Sequence, residues 1–155
     1  MITFFNQIFK DWNKFTSLPT LASNYKAFTS TLCLNNIICH NCNSNNSFVR
    51  HAYYKRSYYS PNNLIYINIL RIKCKCCKKT FALLPPDIIP YSRLLLKYHQ
   101  DIHNAYLEKK HDELLKISSL LNIDFNIIDS CIKNFSKISL WIDIVVNYFT
   151  QPHPT

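Results

Sequence analysis

Two Cys-x-x-Cys pairs constrain this chain more than any other feature: Cys39 with Cys42, and Cys74 with Cys77, separated by 31 residues. Two-residue spacing lets one tight turn aim both thiolates at a common point, and a second such turn completes a tetrahedron of sulfur. The segments between the pairs, "FVRHAYYKRSYY" and "LIYINILRIK", are rich in β-branched and aromatic residues, and "SPNN" at 60–63 supplies a turn signal between them. The expectation is an antiparallel hairpin leading from one knuckle to the other, the layout of a zinc ribbon, with Cys39, Cys42, Cys74 and Cys77 as ligands of one structural Zn²⁺. A half-chain of this size cannot bury a large core, and structural zinc contributes on the order of 10 kcal/mol of folding free energy.

Zinc knuckles usually carry glycine just after the second cysteine. This chain has no glycine, and Asn43 and Lys78 stand in those places. Turns that need a positive φ must therefore use asparagine or accept strain. Within "CKCC", Cys76 competes for a ligand position; the spacing shared with the first pair favours Cys77. A redox Cys-x-x-Cys would need a strand-to-helix setting, which the flanking strand patterns do not provide. A catalytic cysteine paired with His40 or His51 is a further alternative. Cys33 and Cys131 lie outside the pattern and read as buried thiols.

Charge is placed unevenly. The formal net charge is +9, yet residues 12–86 hold ten Lys or Arg and no carboxylate, while from Asp87 onward seven bases face eight acids. The cationic field belongs to the first half, and a one-signed patch of this kind fits a polyanion, nucleic acid most often. Arg50, Lys55, Arg56, Arg71, Lys73, Lys75, Lys78 and Lys79 fall on the hairpin or the second knuckle, interleaved with Tyr53, Tyr54, Tyr58, Tyr59 and Tyr66. Lys and Arg neutralise phosphates with release of counterions, and tyrosines can pack on sugars or unpaired bases. Four thiolates around Zn²⁺ carry a net charge near −2 by addition, which leaves the ribbon cationic.

The remaining segments read as helices. With 48% apolar residues the sequence is a folding one, sized for one domain or two small modules. Phe5, Ile8, Phe9, Trp12 and Phe15 follow helical spacing near the N-terminus. No run is apolar and long enough for a membrane span, and the start lacks the pattern of a secretory signal, so a reducing, cytoplasmic setting is expected. A helix should begin near Tyr91 with Pro90 at its start, carrying His99 and His103 toward solvent. In "ELLKISSLLNIDFNIIDSCIKNF", Leu114, Ile117, Leu121, Ile123, Ile128 and Cys131 suit two helices joined by a short turn. There Asn122 would take the left-handed position and Asp124 would cap the second helix. This resembles a helix-turn-helix whose second helix presents Asn126, Asp129, Ser130 and Lys133 outward, and a plain helical hairpin that packs beside the ribbon is the alternative reading. "KISLWIDIVVNYF" should add a final apolar helix.

The order of ribbon, "RIKCKCCKKTFALLPPDIIPY" and helix-turn-helix resembles a family of small bacterial zinc-ribbon proteins of unassigned function. It is also similar to the N-terminal DNA-binding part of insertion-sequence transposases. The resemblance spans about residues 39–135, and its most specific part is C-x-x-C-x-x-T-F-x-L-L-P from Cys74 to Pro85. It implies zinc ligation by the four paired cysteines and association with mobile elements. A transposase also needs a catalytic domain with an acidic metal-binding triad, and nothing after residue 135 offers one.

The combined expectation is an α+β chain: an N-terminal helical segment (1–33), a zinc ribbon (34–89) and a helix-turn-helix-like module (90–155). The expected function is zinc-dependent DNA binding, transposase-related or regulatory, without enzymatic activity. Alternatives are a zinc-ribbon adaptor between proteins and a truncated transposase remnant. RNA in place of DNA, a homodimer and a recombinase partner stay open; a membrane partner is not expected.

Overall fold

The computed structural model describes residues 8, 9, 12, 20–35, 37–61, 63–137 and 139. The chain is mixed α+β and divides into two compact units, one of Met1–Arg56 with Tyr66–Pro85, the other of Ser57–Ile65 with Pro86–Thr155. The helix expected over Phe5 to Phe15 and the final apolar helix fall largely outside the described residues. Among the described residues, no helix is long and apolar enough to cross a membrane.

The first unit is built on helix α1 (Leu21–Thr31) and most of a three-stranded sheet, β1 (Phe48–Ser60), β2 (Asn63–Cys74) and β3 (Thr80–Ala82), ordered β1-β2-β3. Pro61 and Asn62 link β1 to β2, and so short a loop joins antiparallel neighbours only. The third strand was not foreseen. It is three residues long, with Arg71 opposite Ala82, Ile72 opposite Phe81 and Lys73 opposite Thr80. Burial alternates along the start of β2 in this unit, with Ile67 and Ile69 buried and Tyr66 and Asn68 exposed. The phase shifts from Leu70 on, where Leu70, Ile72 and Cys74 are buried and Arg71 is exposed.

Tyr25 ties α1 to the sheet. Its buried hydroxyl donates to the Leu83 carbonyl at 2.5 Å and accepts from the Leu70 amide at 3.1 Å. Phe9 and Trp12 each bring a ring to 5.2 Å from that of Phe28 on α1, one stacked and the other edge-on. With no glycine to end α1, Arg50 from β1 satisfies its last carbonyls, donating to Leu32 at 2.9 Å and Ser30 at 3.4 Å. Cys33, expected to be buried, lies in the connector after α1 and is exposed.

The second unit packs α2 (Leu96–Leu107), α3 (His111–Leu121) and α4 (Phe125–Lys133) against one another. Helix α2 starts five residues later than the Pro90-Tyr91 signal suggested. Tyr91 takes a positive φ of 65°, and the chain turns back so that Ile88 pairs antiparallel with Leu95, which keeps it non-helical until Leu95. The turn between α3 and α4 follows the expectation. Asn122 adopts the left-handed conformation, its N–H donating to Ser119 and that of Ile123 to Ser118, a Schellman closure. The Asp124 carboxylate then accepts the Asn126 amide at 2.8 Å and caps α4. Leu114, Leu121, Ile123, Ile128 and Cys131 form the buried seam of the pair, while Ile117 is only half-buried.

His99 does not face solvent. It is buried, with Nε2 at 2.7 Å from the Ser92 hydroxyl and Nδ1 at 2.8 Å from the Cys131 thiol. His103 is half-buried and stacks on Phe135. Histidines four residues apart on a helix share one face, and here that face packs inward toward α4.

Candidate metal centre

Two turns of the same construction carry the four cysteines. In the first, the Cys39 amide donates to the Ser44 carbonyl at 2.9 Å and the Asn43 amide to the Cys39 carbonyl at 2.6 Å. In the second, the Cys74 amide donates to Lys79 at 2.9 Å and the Lys78 amide to Cys74 at 3.0 Å. The residue after each second cysteine, Asn43 or Lys78, takes a positive φ, 53° and 62°. These are the positions where glycine is customary. Asparagine tolerates that conformation comparatively well, whereas lysine bears a steric cost that the surrounding hydrogen bonds sustain.

The turns converge. The four Sγ atoms of Cys39, Cys42, Cys74 and Cys77 lie within 4.8 Å of one another, a geometry compatible with a shared metal ion. The closest pairs run crosswise between the turns, Cys39 to Cys77 at 3.8 Å and Cys42 to Cys74 at 3.7 Å. A further hydrogen bond, from the Lys75 amide to the Ser47 carbonyl at 2.7 Å, stitches the loop after the first turn to the second turn. Cys76, the competitor in the sequence, is exposed and stands outside the cluster.

The surroundings of the sulfurs are unequal. Burial pushes the Cys39 thiol up to about 11, against the opposing N–H groups of Asn41 and Cys42. Burial acts the same way on Cys74. There it is outweighed by the hydroxyls of Ser44 and Ser47 and the N–H groups of Cys77 and Cys76, which together bring the thiol down to about 5. The Ser44 hydroxyl, through its hydrogen bond, also lowers Cys42. These serines are residues that the sequence reading missed. Ser44 Oγ is 3.0 Å from Cys42 Sγ and 2.8 Å from Ser47 Oγ, which in turn is 3.2 Å from Cys74 Sγ. The signal available was only a serine two residues beyond a Cys-x-x-Cys.

Four thiolates this close repel one another strongly, so full ionisation requires a cation among them. An all-sulfur tetrahedral donor set selects soft or borderline ions and leaves no open coordination position for substrate. The cluster can hold an ion and cross-link two turns.

The cations named from the sequence take several roles. Arg71 and Lys75 are exposed, and Lys73 is half-buried. Lys55 Nζ sits 4.3 Å from the centroid of the Tyr66 ring. Lys78 occupies its positive-φ turn, and Lys79 donates to the Asn41 side chain at 2.6 Å. Arg50 is committed to the end of α1, and Arg56 is half-buried. Asn126 and Lys133 are exposed on α4 in the second unit, with Ser130, while Asp129 is half-buried. Of the five tyrosines, Tyr53 and Tyr66 are exposed, Tyr54 and Tyr59 half-buried and Tyr58 buried.

The Cys131–His99 contact is a thiol–imidazole pair of catalytic type by distance, but not by environment. Burial pushes the thiol up to about 12 and the imidazole down to about 4, so the proton stays on sulfur and neither group is charged near neutrality. The pair cross-links α2 and α4.

Fold and site together define an α+β chain built on a three-stranded antiparallel sheet and carrying a four-cysteine cluster compatible with a metal ion. Comparison with protein families, curated proteins and solved structures finds no match for the chain.

Proposed function

We propose that the chain is a non-catalytic, zinc-dependent DNA-binding protein in which the metal pins a cationic β-hairpin. Zinc is the ion that suits the cluster best. Four sulfurs at the usual Zn–S distance of about 2.3 Å lie roughly 3.8 Å apart in a regular tetrahedron, and the crosswise pairs stand at 3.7 and 3.8 Å. The saturated sulfur shell supports a structural rather than a catalytic ion.

The observation that carries the DNA reading is the sign of the charge around that metal. The described residues of the first unit include no Asp or Glu, and Lys55, Arg71, Lys75, Lys78 and Lys79 are all exposed there. Ordinary solvated surfaces mix both signs; a field of one sign concentrates a polyanion and is relieved by one. The α3–α4 pair has the turn chemistry of a helix-turn-helix, with Asn126 and Lys133 as its outward polar groups. With Asp112, Glu113, Asp124 and Asp129 on or beside the same helices, it contributes little attraction for phosphate. The hairpin is therefore the main contact, and any relation to transposase targeting modules rests on the ribbon.

The test is binding of zinc-loaded protein to a random-sequence DNA that has both a duplex and a single-stranded tail, across a salt series. Affinity should fall steeply between low and moderate salt. Removing one phosphate contact with Lys75→Gln should reduce the slope of log K against log salt by about 1. Absence of binding at low salt would overturn the reading.

A further inference from the structure

The exposed side of the sheet in the first unit has a composition that solubility does not account for. On β1 the two-residue period puts His51, Tyr53 and Lys55 on one face, and all three are exposed. On β2 Tyr66 and Asn68 share a face and are exposed, with Ile67 and Ile69 buried behind them. Lys55 Nζ lies 4.3 Å from the centroid of the Tyr66 ring, which places the two rows on the same side of the sheet. The solvated face thus presents two aromatic rings, an amide, an imidazole and a cation.

Tyr53 is 54% exposed and Tyr66 50%, so packing within the chain accounts for only about half of either side chain. A tyrosine on an open sheet face leaves a flat π-surface in water, where a stacking partner would bury it. Partners with a flat face and a negative backbone are nucleotides. In a duplex the faces of the bases are already covered by their neighbours and cannot reach a ring on a sheet. In a single strand they can.

We infer that this face is a platform for single-stranded nucleic acid, with Tyr53 and Tyr66 stacking on unpaired bases and Lys55 neutralising the linking phosphate. The inference rests on the nucleic-acid reading above and narrows its substrate class. Lys55 holds its ammonium over the Tyr66 ring, so a base stacking there would displace it toward the adjoining phosphate. Asn68 and His51 supply donors and acceptors for base edges. Stacking on aromatic side chains tolerates any base, so the platform should show little sequence preference.

The test uses the zinc-loaded full chain and three labelled probes of about 20 residues, longer than the roughly 4–16 nucleotides that one OB-fold covers: oligothymidylate, oligouridylate and a random-sequence duplex. Anisotropy titrations at low salt should give tighter binding to at least one single strand than to the duplex, the two strands separating DNA from RNA as the source. Tyr53→Ala and Tyr66→Ala should each weaken single-strand binding roughly tenfold, while Tyr53→Phe and Tyr66→Phe retain it. Zinc content should stay unchanged, since both rings are outside the core. Unaltered single-strand affinity in both alanine variants would overturn the platform, and if Lys55→Gln still weakened every probe, the broader nucleic-acid reading would survive it. Failure of all three probes to bind would remove that reading as well.

Discussion

Cys42 Sγ and Cys74 Sγ approach to 3.7 Å across 32 positions of sequence, and the Ser44 hydroxyl touches both, at 3.0 and 3.5 Å. Ser47 adds a contact at 3.2 Å to Cys74 alone. One side of the cluster is thus supported by two hydroxyls that the Cys39–Cys77 side lacks among the described contacts. When the sulfurs are ionised, those hydroxyls donate to them and stabilise the thiolate charge.

Ser47 should therefore act as an outer partner of the metal. Ser47→Ala is expected to weaken metal affinity by about 10- to 100-fold, read by competition with a chromophoric chelator. The sheet and its four sulfurs should remain, so metal stoichiometry at saturation should not change. Equal affinity in the variant would show the hydroxyl to be incidental.

Tyr25 closes two backbone groups at once. Tyr25→Phe keeps the ring and strands the Leu70 amide and the Leu83 carbonyl in a buried setting. The expected cost is about 1–3 kcal/mol, measured by urea unfolding followed through the tyrosine signal. A loss of only a few tenths of a kcal/mol would mean that the two groups find other partners.

The buried His99–Cys131 pair predicts a stability dome in pH. The folded imidazole takes a proton only near pH 4, while the unfolded ring does so near 6.5. The unfolded state therefore binds more protons in that window, and stability is lost as pH falls from about 6.5 toward 4, by up to about 3 kcal/mol. On the other side, the folded thiol holds its proton to about 12 against 9.0 when unfolded. Stability should decline again above pH 9. His99→Gln should flatten the acid limb and Cys131→Ala the alkaline one, in thermal melts of metal-loaded protein across pH.

Asp124 and Asn122 control the α3–α4 turn by separate means. Asp124→Ala removes the cap on the Asn126 amide and should cost about 1 kcal/mol. Asn122→Gly should be neutral or slightly stabilising, because the left-handed φ of 48° suits glycine better than asparagine. Chemical denaturation of the two variants distinguishes these opposite outcomes.

Much of this architecture was legible because it is written in local rules. The two-residue cysteine spacing, the "SPNN" turn, Asn122 and Asp124 each encode a conformation within a few residues, and each stands where expected. Long-range relations were not legible. Strand β3 is three residues of "TFA", too short for any alternation, and exists because β2 offers it an edge to pair with. His99 looked like a solvent-facing residue since polar periodicity cannot reveal that Cys131 and Ser92, 32 positions later and seven earlier, fold around its ring. The late start of α2 has the same origin: the Ile88–Leu95 pairing overrides the Pro90 signal. Cys33 was misjudged by treating a thiol as inherently buried, although it falls in a connector.

The central claim is a single four-sulfur ion between the two turns. X-ray absorption at the zinc edge, with metal content per chain, tests it most directly. The account predicts one zinc per chain with four sulfur scatterers at about 2.3 Å, preserved in Cys76→Ser and reduced to three sulfurs or lost in Cys77→Ser. A shell containing nitrogen or oxygen in the native protein, or a ligand set that depends on Cys76, would contradict it.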